Sequence, residues 1–406
     1  MIRVIEAFSG IGAQHMALEE LHRENGLEYE IVATVEIDDT AVKGYEAIHG
    51  PVHNLGDITK VEHLPECDLL FYSYPCTSIS QAGKQEGMVE GSGTASSLLW
   101  EVKRLLLDMK ERGCLPEYLG MENVPMLLAE KNRPQFNAWI QFLNDLGYTS
   151  SYTVMNAKDY GVPQNRARVF MVSCLHSREF IFPGPCPDGR VLKDVLEEDV
   201  PEEYFLSSEK IAKFEEHRIR QEENGRGFGW VPKDPSKDCW MNAITTNPER
   251  NATGNYVKIG LKKVGTLDPN AYEVSNRVYA IDGVSPTLTC RAPGIIKVTR
   301  SEEEVLSEEV NDSPGNPSLI SVGTEPLDNG AFRIRYLTPR ECLRLQAFPD
   351  DAIDRLMSAV PSKAQLHKLA GNSIAVCCLK AIFKGMFVDG TFRMRNDRQV
   401  SLERFL

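Results

Sequence analysis

Between Arg3 and Val124 one pattern recurs four times: an apolar run of strand length, a turn, and then sequence of different period. The runs are Arg3–Phe8, Glu30–Ile37, Leu69–Tyr72 and Tyr118–Val124, and each stops at a polar residue. Strands that alternate with helices pair in parallel and are covered on both faces. They therefore read as nearly continuous apolar runs rather than as alternating ones. This pattern constrains the chain to an α/β fold in which ligands bind beyond the carboxyl ends of the strands. The residues at those ends are where chemistry is to be sought.

The first strand runs into Ser9-Gly10-Ile11-Gly12, and Ile11–Asn25 follows with Ile11, Met16, Leu18 and Leu21 at helical spacing. Glycine lets a backbone turn tightly and approach a ligand. The third glycine of GxGxxG is missing, since Gln14 and His15 follow, which disfavours a pyrophosphate-bearing dinucleotide and leaves a phosphate-free cofactor open. Glu36 ends the second strand, where nucleoside-binding α/β folds grip a ribose diol; the alternative is a solvated carboxylate. Asp57 either accepts a hydrogen bond from an adenine amino group or caps a turn. The third run stops at Pro75-Cys76, and polar, Ser- and Gly-containing sequence continues to Gly87. A thiol at a strand tip is a nucleophile if it ionises and a structural cysteine if it does not. Glu122-Asn123 closes the fourth strand.

Ser96–Arg112 carries Leu98, Leu99, Val102, Leu105, Leu106 and Met109 on one stripe, which predicts an amphipathic helix with Ser97 as its cap. A helix over Gln135–Leu146 and strands near Ser151–Met155 and Val169–Leu175 follow. Before the last of these, Arg166 and Arg168 alternate and so point to one face. The Pro-rich hinge Phe182–Pro187 divides the chain into residues 1–182, 183–332 and 333–406. In the last part, Thr338, Pro339 and Glu341 spell a capped helix start, and a final helix is expected from Ser373, as cap, to about Phe387. The ten cysteines form no CxxC pair, so no metal site or disulfide framework is indicated and a reducing cytoplasm fits. No signal-peptide layout and no run near the ~20 apolar residues of a membrane span is present. The net charge of −13 argues against nonspecific polyanion binding by the whole surface, yet Gly225–Arg300 holds 11 Lys and Arg against 6 Asp and Glu.

Taken in order, these residues resemble the cytosine-C5 DNA methyltransferases. The likeness rests on Phe8-Ser9-Gly10-Ile11-Gly12, Glu36, Asp57, Pro75-Cys76, Glu122-Asn123-Val124, Gln164-Asn165-Arg166-Ala167-Arg168, Arg335 to Phe348-Pro349, and Gly371-Asn372-Ser373. The segments LLWEVKRL and MENVPMLLAEKN look like those of CpG-specific members from mycoplasmas. The resemblance implies a Rossmann-like S-adenosylmethionine-dependent methyltransferase sheet with helices on both faces, plus a smaller target-recognition domain and a cleft for DNA. It implies Cys76 as nucleophile toward C6 of cytosine, Glu122 at N3, Arg168 at the O2 edge, and Arg166 ordering the loop or Glu122. S-adenosylmethionine would meet Phe8, Ser9, Gly10, Ile11, Gly12, Glu36, Ile37, Asp57, Ile58, Pro75, Leu99, Asn372 and Ser373, leaving as S-adenosylhomocysteine. Thr77, Ser80, Gln81, Arg277, Thr287 and Arg291 would meet double-stranded DNA. A cytoplasmic monomer of prokaryotic or phage type is implied, with either a companion restriction endonuclease or an orphan role. Two departures stand out. The family usually has Gln after Pro-Cys, where this chain has Thr77, and often Arg where it has Ala95.

Three other readings share parts of this pattern. A tRNA cytosine methyltransferase has the same catalytic motifs, but the locally basic insert favours duplex DNA. A catalytically silent DNA-binding regulator is opposed by intact Cys76, Glu122 and Arg168. An NAD-dependent oxidoreductase is opposed by the missing glycine.

Overall fold

The computed structural model describes residues 1–75, 95–223, 233, 240–243, 256–260, 263–266, 277–280, 298–299 and 332–394. Cys76, Thr77, Ser80, Gln81, Thr287 and Arg291 lie outside the described residues. The chain forms two compact units, one of residues 1–195, 240–247 and 339–406, the other of 196–239 and 248–338. Residues 183–195 thus belong with the first unit, beyond the Pro-rich segment.

The first unit is built on strands β1 (Ile2–Ala7), β2 (Tyr29–Val35), β3 (Leu69–Tyr72), β4 (Tyr118–Asn123), β5 (Thr149–Asn156) and β7 (Ala167–Cys174), after the two-residue β6 (Gln164–Asn165). The six longer strands form one sheet in the order β2-β1-β3-β4-β7-β5. The pairs β1–β2, β1–β3 and β3–β4 are parallel, whereas β7 runs antiparallel to both β4 and β5. That reversal brings Arg168, near the start of β7, to the same edge as the carboxyl ends of β1 to β4. A further two-residue strand, Met241–Asn242, pairs in parallel with β6 in this unit.

Helices α1 (Ala13–Asn25), α2 (Asp39–His49), α3 (Leu99–Glu111) and α4 (Arg133–Asp145) alternate with the strands. The strip Leu69–Tyr72 is wholly buried, and its side chains go to opposite faces. The Tyr72 ring lies edge-on to Trp139 of α4, at 5.9 Å, and the Trp139 Nε1–H donates to the Tyr72 hydroxyl at 3.1 Å. The Phe71 ring meets Phe383, from the last helix, at 5.8 Å. Helices therefore cover both faces, as expected. The helix expected from Ile11 begins at Ala13, because Gly10 and Gly12 take left-handed φ values of 55° and 77°. Ser97 does not cap α3; a 3-10 turn, Ala95–Leu98, leads into it and Leu98 occupies the cap position.

The second unit contains α5 (Ser208–Glu223) and short strand pairs. Tyr256–Gly260 runs antiparallel to Phe332–Tyr336, and Lys263–Thr266 antiparallel to Arg277–Ala280, which lies parallel to Val298–Thr299. Tyr204, Ile334 and Tyr336 form a small buried cluster against Val200, Leu206 and Ile211. Arg277 opens one of these strands.

The chain then returns to the first unit through α6 (Pro339–Arg344), α7 (Asp350–Ala359), α8 (Lys363–Asn372) and α9 (Val376–Phe387). Helix α9 packs beside α1, and α7 beside α2. Pro339 is the first helical residue, as its fixed φ favours. The Thr338 hydroxyl donates to the carboxylate of Glu197. Ser373 does not cap the last helix: it lies in the turn between α8 and α9, and Ala375 holds the cap position. Residues 363–387 are long and apolar enough to cross a membrane by composition. They are two helices broken at that turn, with buried faces that include Leu366, Leu379 and Phe383.

Candidate active site

A cavity of about 330 Å³ opens along the carboxyl edge of the parallel strands. Each strand end delivers a wall: Phe8, Ser9, Gly10 and Ile11 after β1, Glu36, Ile37 and Asp38 after β2, and Ser73, Tyr74 and Pro75 after β3. Glu122 and Asn123 end β4 and Val124 follows them, Arg166 precedes β7 and Arg168 lies at its start, and Asn372 and Ser373 come from the end of α8 and the turn after it. Asp57 and Ile58 complete one side. Cys76 follows Pro75 directly in sequence. Two residues expected at the cofactor do not line this cavity. Leu99 is fully buried in the core, and its neighbour Leu98 lines the wall instead. Gly12 lies behind the wall, where a Cβ would come within 2.6–2.7 Å of the His49 and Tyr45 rings. Its lack of a side chain permits that packing.

At the β1–β2 end, the Glu36 carboxylate accepts the Gly10 N–H at 2.9 Å and the Asp38 N–H at 2.8 Å, one on each oxygen. A carboxylate offers about four lone-pair sites. Two remain for a pair of donors such as a diol. Asn54, which the sequence reading missed, holds this strand end from behind: its Oδ1 accepts the Glu36 N–H and its Nδ2 donates to the Glu36 carbonyl, both at 3.0 Å. A lone Asn outside any periodic run, bridged to Thr34, gives no sign of this in the sequence. Asp57 accepts the Thr59 hydroxyl at 2.8 Å and its N–H at 3.0 Å, bonds that hold its carboxyl below the usual range. Phe8 takes a left-handed φ of 58°, uncommon for a residue with a side chain, and its N–H is pinned to the Val35 carbonyl at 2.7 Å. Ile37 is 70% exposed on the rim. The walls at this end combine apolar surface with carboxylates.

At the β3–β4 end the character changes. Glu122 is 6% exposed, and both of its oxygens are held. The Ser73 hydroxyl lies 2.5 Å from Oε2, and Arg168 Nε 3.1 Å from Oε1. The alternation of Arg166 and Arg168 does not give them one task. Arg168 meets Glu122, whereas Arg166 Nη2 donates to the Gly371 carbonyl at 2.9 Å and the Ser373 carbonyl at 2.7 Å. Asn123 Nδ2 donates to the Tyr74 carbonyl at 3.1 Å, which fixes the tip of β3 one residue before Pro75. A second thiol, Cys378, is close enough to feel Glu122 and Arg166. Its hydrogen bond with Cys377 and its burial push it well above the usual thiol range, so it stays neutral.

A family model described as C-5 cytosine-specific DNA methylase matches residues 2–387. The orphan methyltransferase M.Rho11sI of Bacillus phage rho11s is 29% identical over 500 aligned residues, spanning 94% of this chain and 97% of that protein. The orphan methyltransferase M.SssI of Spiroplasma monobiae is 36% identical over 267 residues, spanning 51% of this chain and 68% of that one. Among solved structures, the Entamoeba histolytica methyltransferase EhMeth superposes with a TM-score of 0.63 at 16% identity, over 96% of this chain and 98% of its own. Dnmt2 methyltransferase of S. pombe gives 0.58 at 16% identity, over 96% and 99%. These two share the fold.

Proposed function

The chain belongs to the C-5 cytosine-specific DNA methylases, and we propose that it methylates a flipped-out cytosine in a specific duplex sequence through a covalent bond between Cys76 Sγ and ring C6. As a member of this family it transfers methyl groups from S-adenosylmethionine to cytosine in DNA. The observation that carries the finer reading is the juxtaposition, in one cavity, of two ends: the carboxylates of Glu36 and Asp57, and the clamped Glu122 beside the strand leading to Cys76.

The residues present fit the donor. Its ribose diol matches the two lone-pair sites left on Glu36, its adenine the apolar Phe8 and Ile37 beside Asp57, and its methionine end the Asn372-Ser373 turn. Bound there, S-adenosylmethionine supplies a methyl group on a positively charged sulfur.

Cytosine C5 is a poor nucleophile. When the Cys76 thiolate adds to C6, the C5=C6 electron pair moves to C4–C5 and the C4=N3 pair onto N3, which takes a proton from Glu122. The resulting enamine is nucleophilic at C5. Arg168 uses Nε on Glu122 and Nη1 on the Ala167 carbonyl, which leaves Nη2 for the O2 edge of the base. After transfer, loss of the C5 proton lets Cys76 leave. The ring atoms of a stacked base are out of reach, so the target must be flipped out. The locally basic stretch Gly225–Arg300, with Arg277, Thr287 and Arg291, supplies sequence preference, and Thr77, Ser80 and Gln81 meet the DNA beside Cys76.

Bisulfite sequencing of DNA from cells that express the protein tests this reading. Methylated cytosines at one defined duplex sequence are expected. Methylation confined to tRNA, or absent altogether, would overturn it.

A further inference from the structure

We infer that Ser73 is a positioning residue for Glu122, the group that lets its carboxyl change charge during catalysis without losing a partner. This rests on the reading of Glu122 as the proton donor to N3. Ser73 is the first residue beyond β3, lines the cavity, and places its hydroxyl 2.5 Å from Glu122 Oε2. The opposite oxygen, Oε1, faces Arg168 Nε at 3.1 Å. The two partners are chemically unlike. A guanidinium only donates, whereas a hydroxyl donates or accepts. A proton on the Oε1 lone pair that faces Arg168 would set donor against donor. A proton on Oε2 is accommodated on either lone pair, because the Ser73 O–H rotates to accept it or keeps donating to the other pair. Oε2 is therefore the oxygen better suited to carry the proton toward N3.

The step balances as follows. The S–C6 bond forms, the displaced electron pair reaches N3, and N3 takes the proton from Oε2. The Ser73 O–H then turns to donate to the carboxylate left behind. A hydrogen bond to a charged group is worth about twice one between neutral groups. The Ser73 bond thus strengthens as the proton leaves, which favours the transition state over the ground state. A purely structural pin is already provided nearby by Asn123 on the Tyr74 carbonyl, at 3.1 Å.

The test compares the full chain with Ser73→Ala and Ser73→Thr. Four quantities are measured: kcat and KM on duplex DNA, the Kd for S-adenosylhomocysteine, and tritium release from duplex carrying [5-3H]cytosine without a methyl donor. In that exchange the enamine takes a proton from water at C5 and loses tritium as the thiolate leaves, so addition is read without transfer. Ser73→Ala should lower kcat and tritium release about tenfold while KM and Kd stay within about twofold, and Ser73→Thr should retain the parent rate. The inference is overturned if Ser73→Ala matches the parent, if its loss lies in KM or Kd alone, or if Ser73→Thr loses as much. Should Ser73→Ala not fold, Ser73→Cys, with a weaker donor, carries the same comparison. A parent protein that neither methylates duplex nor releases tritium overturns the proposed function itself, a different result from an active parent beside an unimpaired Ser73→Ala.

Discussion

Arg166 makes the sharpest quantitative prediction. It is 4% exposed, and its Nη2 bonds the carbonyls of Gly371 and Ser373 at 2.9 and 2.7 Å, joining residues 205 and 207 positions apart. Those carbonyls flank Asn372 and set the turn that walls one side of the cavity. Replacing Arg166 by Met keeps most of the apolar stem and removes both bonds. A hydrogen bond to a charged group is worth about 1.5–3 kcal/mol. Two bonds sharing one nitrogen are not additive, so the expected loss is about 3 kcal/mol rather than the sum. At ~1.4 kcal/mol per decade, donor affinity should weaken by one to two decades, because ligand binding must now order the turn. Arg166→Lys, a single point charge without the planar fork, should fall between. Calorimetric titration with S-adenosylhomocysteine reads the affinity, and urea unfolding reads the stability. If Arg166→Met leaves both the affinity and the unfolding midpoint unchanged, the tether from the residue before β7 to the α8–α9 turn is not what shapes the site.

Two further predictions concern carboxylates. Glu36→Ala should weaken S-adenosylmethionine binding about 10- to 100-fold, the worth of one charge-assisted hydrogen bond, and unchanged calorimetry would remove Glu36 from the site. Glu6 is fully buried, and burial pushes its carboxyl from 4.5 up to about 8, only partly offset by the Tyr45 hydroxyl donating to it at 2.9 Å. Between those values the folded chain holds a proton that the unfolded chain has lost, so this group's contribution to stability falls as pH rises from 4.5 to about 8 and levels off above. Glu6→Gln should flatten that part of the stability curve, measured by urea unfolding across the range; a curve of unchanged slope would contradict it.

The parts of the fold readable in the sequence are those decided locally. Leu69–Tyr72 has the bounds expected of it, because a run buried on both faces has no competing period. Glu36 and Glu122 are legible from strand ends, since a parallel sheet gathers its carboxyl edges in one place, whereas Asp57 caps the 3-10 turn Ile58–Lys60 and reaches the cavity from there. What escaped was set by long-range contact. Nothing in the chain near Ser73 marks its bond to Glu122, 49 residues on. The reversal of β7 leaves no trace in its apolar run, yet it decides which arginine meets Glu122. Ser373 reads as a helix cap because Ser before an apolar run usually is one. The capture of its carbonyl by Arg166 places it in a turn instead. Leu99 carries the helical pattern and is buried in the core, whereas Leu98, one position earlier in the 3-10 turn, lines the cavity.

The central claim is a covalent bond from Cys76, and trapping measures it directly. A duplex carrying 5-fluorocytosine at the methylated position accepts addition and methyl transfer, but fluorine cannot leave C5 as the proton does, so the adduct persists. Incubation with the parent protein and S-adenosylmethionine, followed by protease digestion and mass spectrometry, should show one peptide carrying the nucleotide, the one containing Cys76. The Cys76→Ala protein should show none. An adduct on any other residue, an adduct that survives Cys76→Ala, or no adduct from a preparation that methylates ordinary duplex would contradict the account.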